Sequence, residues 1–129
     1  MSLKVYTLEQ IAVPIDHIGL FVETDASTGA GQFFNVEGNI LTGMTYVSKP
    51  IPKPETMPEF LRKNFIGTVA ANDLHTLEQV CLEVEVPGKQ LKLDGTPIDK
   101  DKPLRRCTEW TREVVDLLIS KGVVRPGTP

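Results

Sequence analysis

The sequence predicts an α+β domain: a small curved antiparallel β-sheet of four or five strands, with a C-terminal helix packed on one face and a second helix alongside. Two observations lead to this prediction. Short segments rich in branched and aromatic residues, separated by turn-forming residues, fill the first half of the chain and indicate an antiparallel meander. Two segments of the second half carry apolar residues three and four positions apart, which is the spacing of an amphipathic helix.

Five segments have the composition of β-strands. The most distinct is 15–22 (IDHIGLFV), which is dominated by branched and aromatic residues and is followed by the small and polar residues of 23–31. The first of the five segments is short, and we expect it at an edge of the sheet. The five span residues 4–8, 15–22, 32–37, 44–48 and 65–71.

Prolines interrupt the chain between the fourth and fifth of these segments. Residues 49–58 (KPIPKPETMP) contain four prolines, and proline has a fixed φ and no N–H. Neither a helix nor a central strand can cross such a stretch. We therefore expect an extended surface segment that rims a cleft, followed by a short helical turn over 59–63.

Two helices are predicted in the second half. The first spans 73–83, with an N-cap at Asn72-Asp73, and the second runs from Cys107 to Lys121, with Gly122 at its C-cap. Residues 122–129 are predicted to be a loose tail of a single domain that spans 1–129. The apolar stripes consist of Leu74, Leu77, Cys81 and Val84 in the first helix and of Val114, Leu117 and Leu118 in the second.

Composition and charge exclude several classes of function. The 129 residues are 40% hydrophobic and 24% charged, as in one ordinary globular domain, and the net charge is −3. Without a basic stripe interleaved with aromatic residues, no nucleic-acid partner is expected. We expect a cytoplasmic protein without a membrane anchor, because no apolar run is long enough for a membrane span or a signal peptide. Two Cys and two His at scattered positions show no metal-ligand spacing, so we expect no metal and no other cofactor; the oligomeric state stays open.

Cys107 is the first candidate for chemistry. It follows Arg105-Arg106 and opens the amphipathic segment CTEWTREVVDLL. A thiol at a helix N-terminus lies in the positive end of the helix dipole, and nearby arginines add to the stabilisation of a thiolate. The free N–H groups of the first turn can also hold a developing oxyanion. The alternative is a buried cysteine that acts as a small hydrophobic residue, as we expect for Cys81.

His17 is the second candidate, because it interrupts an otherwise apolar strand. By the period of two it shares a face with Gly19 and Phe21, and the missing side chain of Gly19 suits a close approach by a helix or a ligand. The alternative is a core histidine bound to a backbone carbonyl. Asp16 points to the opposite side of the strand, and His75, on the outer side of the first helix, is expected to be solvated.

The two candidates together resemble a known family. The strand His17-Ile18-Gly19-Leu20-Phe21-Val22 is similar to the histidine strand of circularly permuted papain-like domains, and Cys107-Thr108-Glu109-Trp110 is similar to their nucleophile helix. The lecithin:retinol acyltransferase-type branch of the NlpC-like superfamily opens this helix with Cys-Glu-His-Phe. Small fungal proteins with a late Cys-x-[Asp/Glu]-Trp helix are closer. The resemblance covers residues 1–50 and the stretch from 105 to the end.

The resemblance implies roles for individual residues. Cys107 would be the nucleophile, His17 its general base, and Asn35 on the next strand the group that orients the imidazole, with Glu37 as second choice. Gly19, Glu37 and Trp110 would contribute to substrate binding, although an anchor of the helix on the sheet is the alternative for Trp110. Members of the lecithin:retinol acyltransferase-type branch carry an Asn-Cys pair and a C-terminal membrane anchor. Here Arg106 precedes Cys107 and no anchor is seen, which argues against phospholipid acyl transfer.

The implied function is cysteine-dependent acyl chemistry on a small-molecule or peptide substrate: amide or thioester hydrolysis, acyl transfer or cyclisation. Two alternatives stay open. One is a cyclase or isomerase that uses His17 and Asn35 for acid–base catalysis without a covalent intermediate. The other is a catalytically inactive binding module in which the pair is only structural.

Overall fold

The computed structural model describes residues 1–12 and 16–127 and has the α+β class that the sequence predicts. Six strands form one antiparallel sheet in the order β4-β3-β2-β1-β5-β6, and two helices accompany it. The strands are β1 (Ser2–Gln10), β2 (His17–Glu23), β3 (Gly31–Asn39), β4 (Gly43–Ile51), β5 (Phe60–Ala70) and β6 (Arg125–Pro126), and the helices are α1 (Leu74–Glu83) and α2 (Cys107–Ser120). Within the described ranges, neither helix combines the length and the apolar character that crossing a bilayer requires.

The expected edge position of the first strand is wrong. β1 lies between β2 and β5 and pairs with both, and its Val5 and Leu8 are fully buried. The helical turn expected over 59–63 is also wrong, because β5 begins at Phe60 and runs along β1 from there. Pairing with the free edge of β1 satisfies the backbone of this segment and overrides its local turn tendency.

The proline-rich stretch is divided between two structures. β4 continues through Pro50 to Ile51 instead of ending at 48. A proline is tolerated there because β4 is an edge strand, and on its free side no neighbouring strand needs an N–H donor. Pro54–Thr56 then form one turn of 3₁₀ helix. Ile51 and Met57 cover apolar residues of the sheet face opposite the helices, so this segment closes a second, smaller core there.

The sheet has apolar side chains on both faces, because successive strand residues alternate between them. On β2, Leu20 and Val22 join the main core with the two helices, whereas Phe21 joins the smaller core. On β3, Phe34 and Val36 face the helices. The smaller core contains Leu8, Phe21, Phe33 and Ile51, with Tyr6, Met57 and Phe60 packed against it.

Both helices lie where the sequence predicts them, and Gly122 ends α2 with a φ of +73°.

The loose tail expected from residue 122 is wrong for the described part. Val124 is buried, and β6 pairs with β5 at Gly67 and Thr68. Gly67 permits this pairing, since a Cβ there would collide with the carbonyl oxygen of Arg125. Residues 128–129 lie outside the described part, as do residues 13–15, which include the predicted start of β2.

Candidate active site

The sheet opens at the end of β2 that carries His17. β2 pairs with β1 along its length from His17 to Val22, but its pairing with β3 covers only Leu20 to Glu23. Among the described residues, the first three of β2 therefore have a strand partner on one side only. The first turns of α2 take the place of the missing strand: the Thr111 hydroxyl donates to the Ile18 carbonyl at 3.2 Å. The Ile18 backbone also acts on the Cys107 thiol and lowers its pKa.

Gly19 makes the close packing beside His17 possible. A Cβ on Gly19 would lie 2.6 Å from the Phe33 ring and 2.8 Å from the Asn35 Cβ, so any larger residue would displace both. The Phe33 ring meets the His17 ring edge-on, with the ring centroids 6.1 Å apart. The space over Gly19 is thus filled by residues of β3, whereas α2 approaches β2 from its open side. Gly19 itself is buried beneath them.

Asn35 and His17 form a hydrogen bond whose direction follows from a third group. The distance between His17 Nε2 and Asn35 Oδ1 is 2.8 Å, and the Asn35 amide nitrogen donates to the Val47 carbonyl at 3.1 Å. Because a carbonyl can only accept, the amide NH₂ must face Val47 and the oxygen must face the ring. His17 Nε2 is then the protonated nitrogen, and Nδ1 is left for the thiol.

The Cys107 thiol and the His17 ring shift each other's pKa. Burial raises the pKa of the Cys107 thiol, but hydrogen bonds from His17 and from the Ile18 N–H outweigh burial, and the net pKa lies below the ordinary value. Burial likewise lowers the pKa of His17. The hydrogen bonds with Cys107 and Asn35 and the nearby Glu37 charge reverse this effect, so its net pKa is raised. Both shifts favour a thiolate–imidazolium pair.

The two arginines before α2 have separate roles. Arg105 is directed away from the thiol: its Nε contacts Glu113 at 2.8 Å, and its guanidinium also donates to the Glu85 carbonyl at 2.9 Å. The sequence suggested that Arg105 would add to the stabilisation of the thiolate, but its guanidinium is bound to Glu113 and to the Glu85 carbonyl instead. The Arg106 backbone N–H donates to the Glu109 carboxylate at 2.7 Å, which fixes the first turn of α2.

Cys107 and His17 both open onto a cavity of about 560 Å³. Glu37, one of the predicted substrate-binding residues, lies on its wall and forms an ion pair of 2.9 Å with Lys49. Trp110 lies instead in the main core, fully buried, with its ring centroid 5.9 Å from that of Tyr46. The side chains that complete the wall are apolar at Ala12, Ile40, Leu41, Met44 and Leu91, and polar at Asp16, Asn39, Arg106, Thr108 and Glu109.

The remaining sequence predictions concern residues near the site or on the helices. Asn35, the residue expected to orient the imidazole, is fully buried. Cys81 is in the core and His75 is exposed, as expected. The proline-rich segment lies over the smaller core rather than around the cavity. Within residues 1–12 and 16–127, no three His, Cys, Asp or Glu side chains converge closely enough to hold a metal ion.

Two residues near the site were not predicted. Thr111 follows Trp110 on the buried stripe of α2, and a hydroxyl on such a stripe needs a partner, which was a readable signal. Gln90 hydrogen-bonds to the backbone just before α2 from within a polar connection that gives no local signal.

The sequence match to a family spans nearly the whole chain, residues 5–125. The chain belongs to DUF6540, a family of unknown function. No curated protein and no solved structure matches it. The DUF6540 match includes His17, Asn35 and Cys107, as well as both helices, so the whole candidate site lies within the family domain.

Proposed function

We propose that this DUF6540 protein carries out cysteine-dependent acyl chemistry, with Cys107 as nucleophile, His17 as general base and acid, and Asn35 as the residue that orients the imidazole. The observation that carries the proposal is the line of hydrogen bonds from the Val47 carbonyl through Asn35 to the His17 ring, together with the Cys107 thiol beside that ring, which raises the pKa of His17. The Asn35 oxygen favours the tautomer that is protonated at Nε2, which leaves Nδ1 for the thiol. A domain of the circularly permuted papain-like kind, suggested by the sequence resemblance, is part of the proposal.

The first half-reaction forms an acyl-enzyme. The thiol proton rests on His17 Nδ1, and the thiolate attacks the carbonyl carbon of an amide or thioester, so that a C–S bond forms and the carbonyl oxygen becomes an oxyanion. The free N–H groups of the first turn of α2 lie beside the sulfur and are placed to stabilise this oxyanion. When the tetrahedral intermediate collapses, the imidazolium gives its proton to the leaving amine or thiolate.

The second half-reaction decides the outcome. Water, an external amine or alcohol, or a nucleophile within the acyl group gives its proton to His17 and attacks the thioester, and Cys107 leaves as the thiolate. These three nucleophiles lead to hydrolysis, transfer and cyclisation respectively. A cavity of about 560 Å³ is within the size range of small-molecule sites, which supports a small molecule or a short peptide segment as substrate.

Reaction with p-nitrophenyl acetate tests the proposal without knowledge of the natural substrate. We expect a burst of nitrophenolate equal to the enzyme concentration and an acetyl group on the peptide that contains Cys107. Cys107→Ala removes both, whereas the matched variant Cys81→Ala leaves both unchanged. Acetylation that is equally slow at both cysteines contradicts the nucleophile assignment. A Cys107→Ser variant that keeps full turnover favours the acid–base alternative.

A further inference from the structure

Gln90 holds the segment that leads into α2. Its side-chain Oε1 accepts from the Arg105 N–H at 2.6 Å, and its Nε2 donates to the Arg105 carbonyl at 2.6 Å. One amide group thus occupies both polar groups of one backbone residue, as a neighbouring strand would. Arg105 stands two positions before Cys107, and Arg106 between them has extended backbone (φ −129°, ψ −164°). The contact therefore acts on the chain immediately before the nucleophile.

The backbone of Gln90 is itself fixed to the rest of the domain. Its N–H donates to the Ile40 carbonyl at 2.7 Å, and its carbonyl accepts from the Ile98 N–H at 2.9 Å. Ile40 follows β3 directly and lies on the cavity wall, as does Leu91, the residue after Gln90. Gln90 consequently links the end of β3, which also carries Asn35, to the beginning of α2.

We propose that Gln90 is a positioning residue that sets the place of the Cys107 sulfur relative to His17. Gln90 is not among the described residues of the cavity wall, so it acts through the backbone of Arg105 and not on the substrate. The Thr111 hydroxyl fixes α2 to β2 one turn further along, and Gln90 fixes the side from which the chain arrives. With only one of these two attachments, the first turn of α2 can pivot and lengthen the contact between thiol and ring.

The experiment measures the rate of iodoacetamide alkylation of each cysteine against pH in Gln90→Ala, Gln90→Glu and the matched control Gln79→Ala. Gln79 is exposed on α1. Because one pKa unit is a tenfold change in thiolate below the pKa, we expect Gln90→Ala to slow Cys107 at pH 7 by about fivefold to tenfold and to move its profile to higher pH. Gln90→Glu keeps the oxygen that accepts from the Arg105 N–H but loses the donor to the Arg105 carbonyl. The alkylation rate of its Cys107 therefore falls between the rates of the wild type and of Gln90→Ala. Gln79→Ala matches the wild type.

A merely structural role for Gln90 gives a different pattern. A loosened fold exposes both cysteines, so Cys81 and Cys107 are both labelled faster and the Cys107 profile keeps its position on the pH axis. That pattern, or a Gln90→Ala variant with the wild-type profile, overturns the proposal. If Gln90→Ala does not fold, Gln90→Glu with a wild-type Cys107 profile overturns it as well.

The inference rests on the proposed function, but the two fail differently. A wild-type Cys107 that is alkylated like an ordinary thiol removes the proposed nucleophile before any variant is made. A fast wild-type Cys107 that is indifferent to Gln90 leaves the nucleophile in place and removes only the positioning role.

Discussion

The two cysteines give an internal comparison for the reactivity of the site. Cys107 is 7% exposed on the cavity wall, and Cys81 is 1% exposed within the main core. Burial and the nearby Glu78 raise the pKa of the Cys81 thiol to about 12, whereas the pKa of Cys107 is lowered by His17 against its own burial. We therefore expect iodoacetamide to alkylate Cys107 far faster than Cys81 at pH 7.

The size of the difference follows from the thiolate fractions. A thiol with a pKa of about 12 is ionised to about one part in 10⁵ at pH 7. A thiol with the ordinary pKa of 9.0 is ionised to about 1% at pH 7, and Cys107 exceeds this fraction because its pKa is lowered from that value. The more basic thiolate is the better nucleophile, with a Brønsted coefficient of about 0.4–0.5, and this reduces the advantage of Cys107 by about 20-fold. The remaining ratio is about 50-fold in favour of Cys107, before the poorer access to Cys81 is counted.

The measurement is a time course of alkylation, with each cysteine peptide quantified by mass spectrometry, in the wild type and in His17→Ala. His17 contributes both a hydrogen bond and a charge that lower the pKa of Cys107 against its burial, so removing the ring should raise that pKa and slow alkylation at pH 7. His75→Ala, an exposed histidine, is the control and leaves the rate unchanged. Comparable rates at the two cysteines, or a Cys107 rate that His17→Ala does not lower, would refute the reasoning.

Three further changes probe how the site is built. Gly19→Ala forces a Cβ against the Phe33 ring and should lower the free energy of unfolding by about 1–3 kcal/mol in urea titrations. An unchanged midpoint would mean that β2 and β3 can move apart at Gly19 without cost. Thr111→Val leaves the Ile18 carbonyl without its donor and should cost about 1–3 kcal/mol, most of which Thr111→Ser should restore; equal losses in both variants would point to packing instead. Asn35→Leu removes a hydrogen bond that raises the pKa of His17, so the imidazolium should lose its proton at lower pH in an NMR titration than in the wild type, and an unchanged titration would place that contribution elsewhere.

Local patterns predicted the elements of this fold well. The apolar spacing of the second half located both helices, and it placed Cys107 at the first position of α2. Alternation along β2 put His17 on one face with Gly19 and Phe21. Asn35 was expected on the strand next to His17, and these two strands do bring His17 and Asn35 together. Side-chain periods are properties of a few adjacent residues, so a sequence displays them directly.

Long-range pairing could not be predicted in the same way. β1 is a central strand because β5 pairs with its second edge. The residues 4–8 contain no pattern that indicates this second partner. The contact of Cys107 with His17 depends on the opening between β2 and β3, which follows from where strand pairing stops. The contact of Gln90 with Arg105 joins a polar connection to a helix start, and neither side has a sequence pattern that indicates the other.

The opening in the sheet also sets an order of events during synthesis. The hydroxyl that fills it belongs to Thr111 and its acceptor to Ile18, 93 positions earlier. A ribosome will have produced the strands from β1 to β5 before Cys107 is made, so His17 has no thiol beside it until α2 docks. Under the proposed function, a nascent or partly folded chain therefore carries no activated sulfur, and reactivity arises only once α2 has docked.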